Sequence, residues 1–186
     1  MKGHPPFPAL APNGGRPLVL VGFMCSGKST VGKALAHGLA LPFVDIDRVV
    51  EAEVGPLLPF FRDQGEEAFR RIEREHLERL LEGPRCVLAT GGGTPCEGDA
   101  MDLLLQRSTV IWLDVQMPVL MARIRRSGGD RPLLSGLQGV ALEERVGELL
   151  ALRTPVYSRA MHRVAADGPA EEVVARIAAQ LPGQER

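Results

Sequence analysis

The sequence predicts an α/β fold with three layers, a five-stranded parallel sheet lying between helices, and three observations predict it. Five short apolar runs, near Leu18–Val21, Pro42–Asp45, Cys86–Ala89, Thr109–Leu113 and Arg163–Ala165, alternate with segments of helical periodicity. Such alternation is the mark of βαβ units. The first run passes directly into Gly22-Phe-Met-Cys-Ser-Gly27-Lys28-Ser29-Thr30 and then into a helical pattern, so a glycine-rich loop joins a strand to a helix. The chain has 186 residues, 45% of them apolar and 24% charged, which suits one domain with a sizeable buried core.

Residues 1–16 are rich in Pro and Gly without periodicity and read as a disordered tail, leaving one domain over 17–182 and a short tail at 183–186. The loop after the first strand has the features of a phosphate cradle. Gly22 and Gly27 allow the turn, the following helix offers its positive end to a polyanion, Lys28 reaches β- and γ-phosphates, and the Ser29 hydroxyl suits Mg²⁺. This predicts ATP or GTP with magnesium; an Asn-Lys-x-Asp segment for guanine is missing. The plain alternative is a glycine-rich turn before an ordinary helix. Cys25, inside the loop, is either a thiol activated by the helix end or an incidental small side chain.

The second run ends in Phe43-Val-Asp45-Ile-Asp47. In an extended chain these two carboxylates share a face at the mouth of the sheet, one toward a metal and one toward an acceptor; the plainer alternative for Asp47 is a helix cap. From about Glu66 to Glu82, Phe69, Ile72, Leu77, Leu80 and Leu81 recur at helical spacing. Arg70, at the margin of that face, either binds an anionic group or pairs with Glu66 one turn away. Thr90-Gly91-Gly92-Gly93-Thr94 follows the third run, and its bare backbone either meets a ligand or forms a flexible turn.

Val110-Ile-Trp-Leu-Asp114 resembles a second magnesium motif, but Pro118 follows closely and Asp114 suits a turn or cap, so Asp45 is the preferred metal-shell carboxylate and Trp112 is assigned to the core. The stretch 127–139, Ser-Gly-Gly-Asp-Arg-Pro-Leu-Leu-Ser-Gly and its continuation, is too glycine-rich for a stable element and reads as a mobile lid between helices. Arg131 in the lid could reach a transferring phosphoryl group, Arg126 before it could stack on a base, and Arg153 ends a helix; each is otherwise a surface charge. A last helix carries Val173, Val174, Ile177, Ala178 and Leu181 and stops at Pro182-Gly183.

Lys and Arg total 22 against 23 Asp and Glu, which argues against nucleic acid or an anionic membrane as partner. No apolar run approaches a membrane span and the opening segment lacks a signal-like hydrophobic centre, so a cytoplasmic location is expected. Three cysteines and four scattered histidines show no zinc-ligand spacing.

Taken together, the Gly22–Thr30 loop, Asp45-Ile-Asp47, Gly65-Glu-Glu-Ala-Phe-Arg70, Gly91-Gly92-Gly93, Arg131-Pro-Leu-Leu and Arg153-Thr-Pro-Val-Tyr157 resemble shikimate kinase in order and spacing. The resemblance implies a P-loop kinase fold with a lid, a monomer, and transfer of the ATP γ-phosphoryl group to the 3-hydroxyl of shikimate in chorismate and aromatic amino-acid biosynthesis. By the same resemblance, ATP is held by Gly22, Cys25, Ser26, Gly27, Lys28, Ser29, Thr30, Arg126, Arg131 and Pro169. Shikimate is held by Asp47, Arg70, Gly91, Gly92, Gly93 and Arg153, and catalysis falls to Asp47, Lys28 and Arg131. Mg²⁺ is held directly by Ser29 and through water by Asp45. The sequence departs from the family pattern at Cys25 and in a short lid. Two rival readings are a gluconate-type or other small-molecule kinase, which needs no pair of arginines for a cyclic carboxylate, and a nucleotide-binding module without catalysis, against which Lys28, Asp47 and Arg131 argue.

Overall fold

The structure, a computed structural model, describes residues 15–127 and 132–181. Most of the N-terminal tail, residues 182–186 and positions 128–131 of the expected lid, Arg131 among them, lie outside the described residues.

Strands β1 (Leu18–Val21), β2 (Phe43–Asp45), β3 (Val87–Ala89), β4 (Thr109–Asp114) and β5 (His162–Ala165) form one sheet in the order β2-β3-β1-β4-β5. Every pairing is parallel, with Leu20 level with both Ala89 and Ile111. The four residues of β1 are all buried, as a central strand covered on both faces requires. At the β5 edge only Val164 is buried. Helices α1 (Lys28–Gly38), α2 (Ile46–Val54), α3 (Leu57–Glu82), α4 (Ala100–Arg107), α5 (Met117–Arg126), α6 (Gly139–Tyr157) and α7 (Ala170–Gln180) connect and flank the strands. Because β1 lies between β3 and β4, the chain reverses its direction of travel there, and a crevice opens at the carboxyl end of β1, where the phosphate loop falls.

Three expectations are corrected. The extended chain stops at Asp45, and Ile46 opens α2, so Asp45 and Asp47 do not share the face of a strand. Ile46 and Val50 are both fully buried at helical spacing, which commits this segment to a helix. Arg153 lies within the last turns of α6 rather than at its end, and it is 6% exposed rather than on the surface. Within the expected lid, Pro132–Leu134 forms a short 3-10 turn that buries Leu134, and Gly139 already belongs to α6. The helix expected over 66–82 is the second arm of α3, which bends at Gly65 (φ 81°, ψ 171°).

Candidate functional site

The phosphate loop is shaped by its glycines. Gly22 has φ 141°, and a Cβ there would stand 2.7 Å from the Leu113 carbonyl oxygen; no flexible side chain could yield, so the loop passes β4 only as glycine. Gly27, in the left-handed region at φ 98°, starts α1. Lys28 is buried, and its Nζ donates to the Gly22 and Phe23 carbonyls at 2.8 Å each, folding the ammonium across the loop. Ser29 Oγ donates to Asp45 Oδ2 at 2.5 Å, which joins the start of α1 to the end of β2.

Above the loop lies a cavity of about 440 Å³, bounded by residues 24–31, by Asp45 and Asp47, and by Arg123, Ala166, Gly168 and Ala170. The hydroxyl of Ser29 and the carboxylate of Asp45 are hard oxygen donors facing one another, a donor set that suits Mg²⁺. Among the described residues no three His, Cys, Asp or Glu cluster as a metal cage, which is compatible with magnesium, since that ion keeps waters and substrate phosphates in its shell.

A second cavity of about 150 Å³ is lined by Asp47, Arg70, Glu73, the Gly91–Gly93 backbone and Arg153. Met24, Asp47 and Gly92 line both cavities, so the two meet at Asp47. Arg70 Nη1 donates to Glu73 Oε2 at 2.8 Å and Nη2 to Glu66 Oε1 at 2.9 Å. The local pair with Glu66 and a place in the cavity therefore coexist. Burial works against the Arg70 charge, but Glu73, Glu66 and Glu97 outweigh it and hold the guanidinium firmly protonated. Glu73, its side chain 2% exposed, also accepts the Thr94 hydroxyl on Oε1 at 2.5 Å. Burial pushes the Glu73 carboxyl above its ordinary range, against the pull of Arg70 and Thr94, and Asp47 adds to the rise.

Arg153 stacks its guanidinium 5.7 Å from the centre of the Phe23 ring. Its Nη1 is buried and finds no hydrogen-bond partner among the described residues. A buried cationic donor left in this state is costly unless an anion completes it. Tyr157, one turn on, donates its hydroxyl to the Gly92 carbonyl, and burial raises its phenol well above the ordinary range. The glycines leave room for these groups. A Cβ on Gly93 would lie 2.5 Å from Arg70 Nη2, and one on Gly91 would lie 2.7 Å from Glu73 Oε1 and 2.9 Å from Asp47 Oδ1.

The structure thus brings together Lys28, Ser29, Asp45, Asp47, Arg70, Gly91–Gly93 and Arg153. Cys25, at φ 60°, lies in the larger cavity with Sγ 3.6 Å from Ser127 Oγ. Arg126 is exposed on α5 and borders neither cavity; Pro169 stands between the lining residues Gly168 and Ala170. Asp114 accepts Arg163 Nε and Nη2 at 2.9 and 2.7 Å, an edge-strand ion pair. Sequence reasoning missed Glu73, Thr94, Tyr157 and Arg123. Glu73 carried one signal, a carboxylate four residues from both Phe69 and Leu77 and so on the buried face of α3; Arg123 carried another, since it lies between Leu120 and Ile124 on the buried stripe of α5.

A family model described as shikimate kinase matches residues 24–182. A shikimate kinase of Thermus thermophilus is 40% identical over 166 residues, covering 88% of this chain and 89% of the relative. The structure resembles that of a shikimate kinase from Acinetobacter baumannii in complex with shikimate, with a TM-score of 0.81 at 31% identity over 90% of this chain and 96% of that one. A gluconokinase from Sinorhizobium meliloti is similar at a TM-score of 0.56 and 21% identity over 88% of this chain and 90% of that one; this likeness extends to the fold alone.

Proposed function

Because the chain belongs to the shikimate kinase family, we infer that it transfers the γ-phosphoryl group of ATP to the 3-hydroxyl of shikimate, releasing ADP and shikimate 3-phosphate within the shikimate pathway. The observation that carries this reading is the meeting of a phosphate cradle and a doubly cationic pocket at one carboxylate, Asp47.

The substrate carboxylate pairs with Arg70 and with the unsatisfied Nη1 of Arg153, the two charged donors of the smaller cavity. Glu73 and Thr94 hold Arg70 in place, and Tyr157 fixes the Gly92 carbonyl, so the Gly91–Gly93 backbone is set to meet ring hydroxyls. Asp47 orients the 3-hydroxyl and accepts its proton as the oxygen attacks. Lys28, whose ammonium lies across the loop on the Gly22 and Phe23 carbonyls, turns to meet phosphate oxygens, and Arg131 joins it over the transferring group. The adenine side is bounded by Ala166, Gly168 and Ala170, with Pro169 between them against the base; Arg126, exposed on α5 outside the cavity, would have to reach across to stack on it. Ser29 would hold Mg²⁺ directly and Asp45 through water; when bound, the ion neutralises phosphate charge. We further place the protein in the cytoplasm, consistent with three free cysteines, and read it as a monomer. No helix among the described residues is long and apolar enough to cross a membrane.

A coupled assay of ADP release with Mg-ATP tests the reading. Shikimate should stimulate release strongly, while gluconate, nucleoside monophosphates and water should not. Equal turnover with gluconate would favour the rival kinase, and none with any acceptor would favour a nucleotide-binding module.

A further inference from the structure

Arg123 spreads one guanidinium over two loops. Its Nη1 donates to the Ser26 carbonyl of the phosphate loop at 3.1 Å, while Nη2 donates to the Ala166 and Asp167 carbonyls beyond β5 at 2.9 and 3.0 Å. All three acceptors are neutral backbone oxygens. The Asp167 carboxylate is turned to another task, its Oδ1 accepting the Gln116 backbone N–H at 2.8 Å. Ser26, Ala166 and Arg123 all line the larger cavity, so the guanidinium joins two loops that both border it. The contact is made by backbone on both sides, so it fixes where the loops are and not which side chains they carry.

A guanidinium is a planar fork, and two of its nitrogens anchored on two loops hold those loops at one spacing; an ammonium has the charge but not the span. The phosphate loop takes its own shape from Gly22 and Gly27, but it and the segment 166–168 can grip the two ends of one nucleotide only at a matching distance. Two half-sites held in advance at the right separation bind a bipartite ligand without having to be ordered by it.

We propose that Arg123 is a positioning residue for the nucleotide: it sets the separation between the phosphate loop and the loop after β5, so that the base end and the phosphate end of one nucleotide are gripped together. The proposal rests on reading the larger cavity as the ATP site. It makes the Arg123 side chain matter for ligands that span both loops and not for ligands that occupy the phosphate loop alone. A direct phosphate contact by Arg123 would have the opposite pattern, weakening both kinds of ligand.

The test compares wild type with Arg123→Met and Arg123→Lys. Calorimetric titration with Mg-ADP measures a spanning ligand without any acceptor, and inhibition by inorganic tripolyphosphate measures a phosphate-only ligand. Both variants should bind ADP about tenfold more weakly, the loss of one to two net hydrogen bonds' worth of ordering. The KM for ATP should rise in parallel, while kcat, the KM for the acceptor and tripolyphosphate inhibition stay within about twofold of wild type. Unchanged ADP affinity in both variants would overturn the proposal. So would recovery of ADP affinity in Arg123→Lys together with weaker tripolyphosphate inhibition in Arg123→Met. Because the ADP titration requires no turnover, wild type that binds ADP but does not phosphorylate shikimate would defeat the functional reading and leave this test standing.

Discussion

Glu73 holds Arg70 from below: its Oε2 accepts Arg70 Nη1 at 2.8 Å while its Oε1 is occupied by the Thr94 hydroxyl at 2.5 Å. A carboxylate with one oxygen on the helix and one on the glycine turn couples α3 to the segment after β3. The pair is buried, so its strength depends on both partners remaining charged.

Glu73→Gln keeps the size of the side chain and removes the charge. The KM for shikimate should rise several-fold with a smaller change in the KM for ATP, because Arg70 loses its anchor. Stability should respond to pH in a definite sense. Burial raises the folded-state pKa of Glu73 above its ordinary value of 4.5. Between 4.5 and the folded pKa the folded chain therefore holds a proton that the unfolded chain has released; stability from this group is fullest below 4.5 and falls as pH rises through the folded pKa, above which Glu73 is the carboxylate that pairs with Arg70. Melting curves across that window should show wild type losing ground to Glu73→Gln as pH rises. A difference that is constant with pH, or that grows in favour of wild type, would contradict this.

Arg70→Ala and Arg153→Ala each remove one charged donor from the smaller cavity. Each should weaken shikimate binding by about ten- to a hundredfold, the range for a lost charge-assisted hydrogen bond of about 1.5–3 kcal/mol. ATP affinity should change much less. Isothermal titration of each ligand separately distinguishes this from a general loss of structure, in which both affinities would fall together.

Two alanine substitutions at glycines should fail differently. At Gly22 the added Cβ meets backbone, the Leu113 oxygen at 2.7 Å, in a conformation at φ 141° that side chains resist. Nucleotide binding should be lost and the melting temperature lowered. At Gly93 the nearest atoms to the Cβ are those of the Arg70 guanidinium, 2.5 Å to Nη2, the far end of a side chain that can shift at the cost of its bonds to Glu73 and Glu66. That variant should fold and bind ATP normally but show a raised KM for shikimate. Nucleotide titration and steady-state kinetics on both proteins check the contrast.

The phosphate loop was legible in the sequence because Gly22, Gly27, Lys28 and Ser29 act through contiguous backbone; local spacing specifies their geometry. The strands were legible because central parallel strands are uninterrupted apolar runs, as in Leu18–Val21. Arg70 was ambiguous because Glu66 one turn away reads as a surface partner, and Arg153 because a cation near a helix end is already favoured there; only their resemblance to a family pattern set them apart. Glu73, Thr94 and Arg123 were missed because the contacts that give them a role join distant parts of the chain, Glu73 to Thr94 across 21 residues and Arg123 to Ser26 across 97, and sequence spacing does not place such partners together. The helix after Asp45 was misread as extended because three strand residues give too short a period to place its end, and the burial of Ile46 and Val50 against the core decided the matter.

Asp47 stands where the two cavities meet, so Asp47→Asn should leave ATP and shikimate affinities within a few-fold of wild type while lowering kcat by about 10²–10⁴, the usual worth of a positioned general base. Rapid-quench measurement of the chemical step is the check, and an unchanged rate would remove Asp47 from the mechanism.

The most direct measurement is of the product itself. Phosphorus-31 and proton NMR of a reaction containing the purified protein, Mg-ATP and shikimate should show a single phosphomonoester whose phosphorus couples to the proton on carbon 3, appearing in step with ADP. A phosphate on another hydroxyl, or ADP appearing only with inorganic phosphate, would contradict the convergence of cradle and carboxylate pocket on one acceptor oxygen.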